Sequence, residues 1–347
     1  MLKDIEKHYT FDDLNGEKID VVGRKGIDQH KKVYEDFSFD FTSIILISAE
    51  RGEDTRKCVE SIFNHTPEPF EIIISDVGSS ESTKKILTEL KGSNSNIHVI
   101  CNTSSTGTTG QRNQGIHVSK GGLLVFMDND VLALPRWLES LKKVILNDEK
   151  IGAVGAKLLK PGGLSVYYCG AHAVTLEKDG KIYGIGLDKG KELSELRKDD
   201  PIAQVEGEVP WYSTTTLLVR RDAVYKCGGF DDIRGGRGIF IANEDKDLSL
   251  ALRKEGFKIW YCPQAETIHN HDYSKIDRGD KYHKAYRLRM DQIEKDTLYF
   301  MRKWDLTYLL EELPHEDNTK KLVDDKLIPA RLDLSSIPYS DDLVTLK

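Results

Sequence analysis

The sequence predicts an α/β protein with a Rossmann-like, mostly parallel central sheet flanked by helices. Short apolar runs alternate with helical patterns between residues 43 and 130, as expected for right-handed β-α-β units. Residues 123–127 are all apolar, which is typical of a strand buried on both faces. Two such runs end on carboxylates, at Asp76 and at Asp128 and Asp130, and ligands of parallel sheets bind beyond these strand ends.

The first half supplies a regular series of elements. The predicted elements are, in order, a strand at 43–47, a helix around 58–63, a strand at 70–76, a helix at 84–91, a strand at 97–100, a helix beginning near Gln111 and a strand at 122–127. Each predicted helix carries apolar residues at helical spacing or polar residues suited to capping its start.

The second half is less regular. Strands are predicted at 151–156, 211–219 and 258–263, and a helix is predicted to begin within residues 243–247. Residues 177–208 are charged and dotted with glycine, which predicts a mobile loop or an insertion over the site. From residue 280 the pattern becomes helical again.

Composition limits the classes of function. The chain has a net charge of −7, and 31% of its residues are charged. This balance disfavours a broad nucleic-acid-binding surface. The five cysteines are scattered without a CxxC pair, which indicates reduced thiols rather than a disulfide framework or a zinc site. The chain begins without an apolar leader and has no stretch of about 20 apolar residues. We therefore expect a cytoplasmic protein, soluble or peripherally associated with a membrane.

Asp128-Asn129-Asp130 is the first candidate for chemistry. Carboxylates at a strand end suit Mg²⁺ or Mn²⁺, completed by substrate phosphates. The same residues also fit an acidic turn that caps the next helix, and the motif alone leaves both interpretations open. No GxGxxG follows the first strand and no GxxxxGK[ST] is present, which disfavours a Rossmann dehydrogenase and a P-loop NTPase.

Further motifs follow one another in order between residues 42 and 275. They are Asp76-Val77-Gly78-Ser79, Gly107 with Arg112-Asn113-Gln114-Gly115, Asp128-Asn129-Asp130, Gly228-Gly229-Phe230-Asp231, Glu244-Asp245-Lys246-Asp247-Leu248, and Pro263 followed by His269. In this order they resemble the family 2 glycosyltransferases, which have the GT-A fold. The resemblance implies an N-terminal extension at 1–41, a GT-A domain at 42–275 and a helical C-terminal extension and arm at 276–347. Within the domain, 42–130 would bind nucleotide and 131–275 would bind acceptor.

The resemblance also implies roles for individual residues. A nucleotide-sugar donor, most of all a UDP-sugar, would be bound by Ala49, Glu50, Asp76, Arg112, Asp128 and Asn129. Asp130 and His269 would hold Mn²⁺ or Mg²⁺, with His271 as the rival ligand. Asp245 matches the catalytic base, and Trp211 and Glu244 would face the acceptor.

Structural alternatives accompany these roles. Asp76 also suits a helix cap, and Arg112 a helix-positioning role. Trp211 also suits a core aromatic, and Glu244 or Asp247 would serve as base in place of Asp245.

Some positions depart from the family pattern. Residues 47–50 stand where Pro-x-Tyr-Asn is usual, Glu81 replaces a second Asp, and Ser105 replaces a frequent Asn. All of these positions lie along the expected nucleotide pocket. They therefore leave the identity of the donor open more than the type of reaction.

The function implied is a metal-dependent, inverting transfer of a sugar to a hydroxyl acceptor such as a glycan or a lipid-linked sugar. One base opposite the leaving group motivates inversion. A sugar-phosphate nucleotidyltransferase is the first alternative, but it predicts a glycine-rich basic loop after the first strand, and residues 48–54 are acidic overall. A non-catalytic binding protein that keeps the fold is the second alternative.

The C-terminal part carries two further expectations. Its basic residues Arg287, Arg289, Lys295, Arg302 and Lys303 suit contact with an anionic acceptor or a membrane surface, with a solvated helix face as the alternative. Residues 314–347 suit an extended arm that wraps the domain or a second subunit of a homo-oligomer.

Overall fold

A mixed sheet of ten strands organises the chain. The structure is a computed structural model that describes residues 8–12, 18–22, 37–102, 107–170, 172–178, 181–187, 196–209, 211–232, 239–271 and 290–304. Beside the main sheet, two antiparallel hairpins each pair only with themselves within these residues.

The strands are β1 His8–Asp12, β2 Lys18–Val22, β3 Thr42–Ser48, β4 Phe70–Val77, β5 Ile97–Asn102, β6 Leu123–Asp128, β7 Val131–Ala133, β8 Ile151–Leu159, β9 Val166–Tyr168, β10 His172–Lys178, β11 Lys181–Leu187, β12 Gly207–Val209, β13 Thr216–Arg220 and β14 Lys258–His269. The helices are α1 Gly52–His65, α2 Glu81–Ser93, α3 Gly107–Val118, α4 Trp137–Asn147, α5 Arg221–Cys227, α6 Glu244–Lys254 and α7 Met290–Lys303, with a short 3-10 helix at Pro201–Gln204.

The strand order along the main sheet is β12-β14-β8-β13-β6-β3-β4-β5. Strands β6, β3, β4 and β5 are parallel, and β14 is parallel to β8. Strand β13 runs antiparallel to both β6 and β8 and joins the two parallel groups. The predicted α/β class with a mostly parallel sheet is confirmed.

The sheet is covered on both faces. Neighbouring residues of β3 separate into the two cores, Ile44 and Leu46 packing with α1, α2 and α4, and Ile45 with α3, α5 and α6. This explains the uninterrupted apolar runs, because successive side chains of a strand point to opposite faces. Each fully buried side chain of this size contributes about 1.5–3 kcal/mol to folding.

Three elements differ from the sequence prediction. The pattern missed α4 at Trp137–Asn147. Residues 177–208 were expected to form a mobile loop or an insertion. The loop alternative is wrong for their first part, because His172–Lys178 and Lys181–Leu187 pair as an antiparallel hairpin. The strand expected from residue 211 begins only at Thr216, because the ring of Tyr212 packs over Gly155, where a Cβ would lie 2.0 Å from it.

The predicted C-terminal helix is present as α7, and it packs on the segment that leads into α6. Phe300 and Trp304 form a small apolar cluster with Ile239. Trp304 Nε1 donates to Asp247 Oδ1 at 2.8 Å, and Lys303 Nζ lies 2.6 Å from the same carboxylate. Residues 305–347, with the expected arm, lie outside the described residues, as do most of residues 1–36. Among the described helices, none has the length and apolarity needed to cross a membrane.

Candidate functional site

A cavity of about 330 Å³ opens where the carboxyl ends of β3 and β6 meet the end of β14 and the start of α6. It brings eight of the eleven predicted site residues together: Ala49, Arg112, Asp128, Asn129, Asp130, Glu244, Asp245 and His269. Glu50, Asp76 and Trp211 do not line it. The cavity thus joins residues from both halves of the predicted domain.

Asp130 and two histidines form a buried cluster at one side of the cavity. The short strand β7 pairs antiparallel with the end of β14, and Asn270 N donates to Asp130 O at 2.9 Å. This pairing brings His269 Nε2 to 3.3 Å from Asp130 Oδ1 and His271 Nδ1 to 2.9 Å from Asp130 Oδ2. One ligand atom from each residue lies within 4.8 Å of the others. Both His269 and His271 therefore lie beside the Asp130 carboxylate, whereas the sequence left open which of the two would be the metal ligand.

The donor set of this cluster fits a divalent transition metal. A carboxylate suits Mg²⁺ and Mn²⁺ alike, whereas imidazole ligands favour transition metals. Burial raises the pKa of the Asp130 carboxyl, but contacts with His269, His271 and Arg51 outweigh it and hold that pKa well below its usual range. The carboxyl group is therefore ionised, as a metal ligand must be.

Arg112 connects the two halves of the site. Its guanidinium is almost fully buried and lies 3.3 Å from Asp128 Oδ1 and 3.3 Å from Glu244 Oε1. Thr215 Oγ1 donates to the other oxygen of Asp128 at 3.2 Å. Asp128 is thus oriented by a cation and a hydroxyl, neither of which is its neighbour in sequence.

Glu244 and Asp245 begin α6. Burial raises the pKa of the Glu244 carboxyl to about 7, and the charge of Asp245 adds to the rise while Arg112 opposes it. Asp245 Oδ1 accepts a hydrogen bond from Lys246 N at 2.8 Å. Asn243 precedes them with a φ of 65°, in the left-handed region that asparagine tolerates better than most residues.

The segment before α6 is held by α7. Asp296 Oδ2 accepts hydrogen bonds from Ile241 N at 2.7 Å and from Ala242 N at 3.0 Å. Ile293, one turn earlier on the same helix, lines the cavity. The C-terminal helix therefore contributes to the position of the acidic pair, and no local sequence signal pointed to it.

Two predicted donor residues, Glu50 and Asp76, make contacts within the protein. The Glu50 carboxylate accepts from Ser80 N at 2.8 Å, with Ser80 Oγ and Thr83 Oγ1 also bound, and so caps α2. Asp76 accepts from Ser79 Oγ at 2.5 Å, and burial raises its pKa. Their roles toward a nucleotide stay predictions.

Two other predicted residues also have protein partners. Asn129 Nδ2 donates to Thr55 Oγ1 at 2.8 Å, which ties the strand end to α1. Trp211 is buried, its ring centroid lies 5.6 Å from that of Tyr168, and Lys246 Nζ lies 5.1 Å from its ring. This environment resembles the core-aromatic alternative more than a sugar platform.

Several residues at the site were not predicted from the sequence. Arg51 contacts Asp130, Thr215 contacts Asp128, and the ring of Tyr167 meets His269 edge-on at 4.7 Å. The His-x-His spacing at the end of a strand was a signal for both histidines, since alternate residues of a strand share a face. Arg51, Thr215 and Tyr167 carried no comparable signal.

Comparisons with known proteins give a consistent assignment. A family model described as Glycosyl transferase family 2 matches residues 43–227, more than half of the chain. Glucosyl-dolichyl phosphate glucuronosyltransferase of Haloferax volcanii is 29% identical over 231 residues, which cover 65% of this chain and 67% of that protein. Glycosyltransferase AglE of the same organism is 29% identical over 101 residues, covering 28% of this chain.

The chain spans only part of several relatives. It covers 33% of AglE and 27% of an uncharacterized Sinorhizobium fredii protein, to which it is 24% identical over 76% of its own length. Among solved structures, that of GalNAc-T7 with UDP, GalNAc and Mn²⁺ matches with a TM-score of 0.53 at 18% identity, covering 86% of this chain and 57% of that one. This similarity demonstrates a shared fold.

Proposed function

Since the chain belongs to glycosyl transferase family 2, we propose that it transfers a sugar from a nucleotide-diphosphate sugar to an acceptor hydroxyl, with inversion at the anomeric carbon. One observation carries the proposal. A single cavity is lined by the carboxylates Asp128 and Asp130 from the nucleotide half and by Glu244 and Asp245 from the other half. Transfer needs both groups, because one end must hold the donor while the other deprotonates the acceptor.

The donor end is assigned to the sheet edge. Asp128 and Ala49 line the cavity beside Asp130, so the nucleotide would lie across the ends of β3 and β6. Asp130, His269 and His271 would hold a divalent metal, Mn²⁺ in preference to Mg²⁺. When bound, such a metal supplies Lewis acidity that offsets the charge developing on the departing diphosphate.

The acceptor end is assigned to α6. Asp245 is our candidate for the general base, because Glu244 is committed to Arg112 at 3.3 Å. Arg112 pairs with Asp128 as well, and so fixes the distance between the donor carboxylate and the start of α6. A base on the face opposite the diphosphate leads to one displacement and hence to inversion.

The substrates follow from chemistry and relatives. The Haloferax volcanii relative is named for glucuronosyl transfer to glucosyl-dolichyl phosphate, and a lipid-linked sugar is therefore our first acceptor class, ahead of a free glycan. A UDP-sugar is our first donor class.

A panel of UDP-, GDP- and dTDP-sugars tests the proposal with Mn²⁺ and with Mg²⁺. We expect metal-dependent release of nucleotide, and NMR of the product should show an inverted anomeric carbon. The Asp245→Asn variant should bind donor normally while transfer collapses, whereas Glu244→Gln should retain more activity. Absence of metal-dependent nucleotide binding across the panel would reject the proposed function. Retained turnover in Asp245→Asn would remove Asp245 as the base.

A further inference from the structure

Arg51 places its positive charge between two atoms of the buried cluster formed by Asp130, His269 and His271. Its Nη1 lies 2.6 Å from Asp130 Oδ2 and 2.9 Å from His271 Nδ1, and these two atoms are themselves 2.9 Å apart. A guanidinium nitrogen only donates hydrogen bonds. Oδ2 therefore directs a lone pair at Arg51, and Nδ1 does so in the tautomer that carries its proton on Nε2.

The backbone is built to hold Arg51 there. Glu50 and Arg51 are consecutive residues with φ values of 62° and 61°, a left-handed conformation that costs about 1–2 kcal/mol per non-glycine residue. Glu50 is fixed by its hydrogen bonds to Ser80 and Thr83 on α2. Arg51 O accepts from Thr55 N at 3.1 Å at the start of α1.

The other edge of the guanidinium is also held. Arg51 Nε donates to Asp54 Oδ2 at 2.9 Å, and Nη2 lies 2.9 Å from the same atom. Asp54 would therefore keep the side chain near the site if Nη1 left Asp130. Arg51 also lines the cavity, and a quarter of its side chain is exposed.

These contacts occupy one of the positions that a metal would take in the cluster. Protein ligands coordinate Mn²⁺, Mg²⁺ and Zn²⁺ at roughly 2.0–2.2 Å, so an ion bound at Asp130 Oδ2 and His271 Nδ1 would occupy the space of Arg51 Nη1. We propose that Arg51 is the counter-ion of Asp130 in the metal-free protein, and that a divalent metal displaces it. The displaced guanidinium then binds the diphosphate of the donor.

This inference deepens the proposed function, on which the diphosphate part rests. The displacement follows from charge balance within the buried cluster of Asp130, His269 and His271. Without metal, Arg51 compensates a carboxylate that is almost fully buried, and leaving it unpaired would be costly. With metal present, the positive charge of Arg51 is no longer needed at Asp130 and is repelled from it. A dianionic diphosphate entering the cavity would then recruit it by charge-assisted hydrogen bonds.

The test compares Arg51→Gln with wild type, using Mn²⁺ titration of the nucleotide-free protein and thermal unfolding in EDTA. Arg136→Gln is a matched control, because Arg136 also precedes a helix at positive φ and pairs with an acid three residues on. Arg51→Lys, which keeps the charge, guards against a folding defect. We expect Arg51→Gln to bind Mn²⁺ about tenfold or more tightly, since it removes a competing charge-assisted hydrogen bond.

Further readouts separate the parts of the proposal. Arg51→Gln should melt at a lower temperature than wild type in EDTA, and this difference should shrink in saturating Mn²⁺. The affinity of Arg51→Gln for UDP in saturating Mn²⁺ should fall. In every measurement, Arg51→Lys should lie between wild type and Arg51→Gln, and Arg136→Gln should match wild type. Adding His271→Ala to Arg51→Gln should abolish the gain in Mn²⁺ affinity.

Equal or weaker Mn²⁺ binding by Arg51→Gln, or absence of Mn²⁺ binding by every variant, would overturn the counter-ion role. An unchanged UDP affinity in that variant would overturn the diphosphate role. Sugar transfer by wild type in either case leaves the proposed function standing. Conversely, tighter Mn²⁺ binding by Arg51→Gln in a protein that transfers no sugar would reject the proposed function and retain the counter-ion.

Discussion

Replacing Arg112 by Met tests the link between the two halves of the site. The variant keeps a long apolar side chain against Phe230, 5.5 Å from the guanidinium carbon, but leaves Asp128 and Glu244 without their shared cation. Removing one partner of a buried ion pair typically costs about 3–5 kcal/mol. Both contacts are 3.3 Å long, longer than the roughly 2.7–2.9 Å of strong charge-assisted bonds, so we expect about 3 kcal/mol.

The size of this loss should depend on pH. The pKa of Glu244 is raised to about 7 in the folded protein, so Glu244 stabilises the fold below its unfolded pKa, and this contribution is lost as pH rises through about 7. Arg112 lowers this pKa, and its removal raises it further. The variant therefore continues to lose stability above about pH 7, by up to about 1.4 kcal/mol per pH unit.

Urea unfolding in EDTA at about pH 6 and about pH 8 measures both effects. Arg253→Met is the control, because Arg253 pairs with Glu208 at a partly exposed site and should cost less than about 1 kcal/mol. A loss below about 1 kcal/mol for Arg112→Met, or an equal loss at both pH values, would refute the buried-bridge reasoning.

Other predictions concern packing, positioning and the metal. Gly155→Ala places a Cβ 2.0 Å from the ring of Tyr212 and should cost about 1–3 kcal/mol in urea unfolding; Gly92→Ala, in α2 with open space around it, should be neutral or stabilising, and equal losses would contradict the packing argument. Asp296→Asn removes the negative charge of the carboxylate that accepts hydrogen bonds from Ile241 N and Ala242 N. It should lower kcat more than it changes the KM for the donor in steady-state assays. An unchanged kcat would show that α7 does not position Glu244 and Asp245. Mn²⁺ should raise the melting temperature more than Mg²⁺ does, because two imidazoles join Asp130, and His271→Asn should narrow that difference; equal shifts by both metals in wild type would argue against the histidine ligands.

The sequence was sufficient where the information is local. The apolar runs of β3, β4 and β6 specify strands buried on both faces, and their ends carry Asp76, Asp128 and Asp130. Periodicity reports burial directly, because a strand covered on both faces cannot alternate with polar residues. The motif order was enough to suggest the family that the comparisons support.

Where the pattern failed, the missing information lay in a distant partner. Strand β13 is antiparallel to both neighbours, and no local pattern encodes direction. Tyr212 leaves the strand to pack on Gly155, which is visible only once β8 is beside it. The hairpin at 172–187 likewise depends on pairing between its own two strands.

The site shows the same division between local and tertiary information. The types and spacing of Asp128, Asp130, Asp245 and His269 predict the chemistry, because each lies in a short recognisable motif. The interactions that bring cations to the site are tertiary: Arg51 reaches Asp130 across 79 positions and His271 across 220, and Arg112 reaches Glu244 across 132. A buried carboxylate takes whichever cation the fold brings to it, so the identity of that cation was decided by the packing of α1, α3 and β14 around one sheet edge.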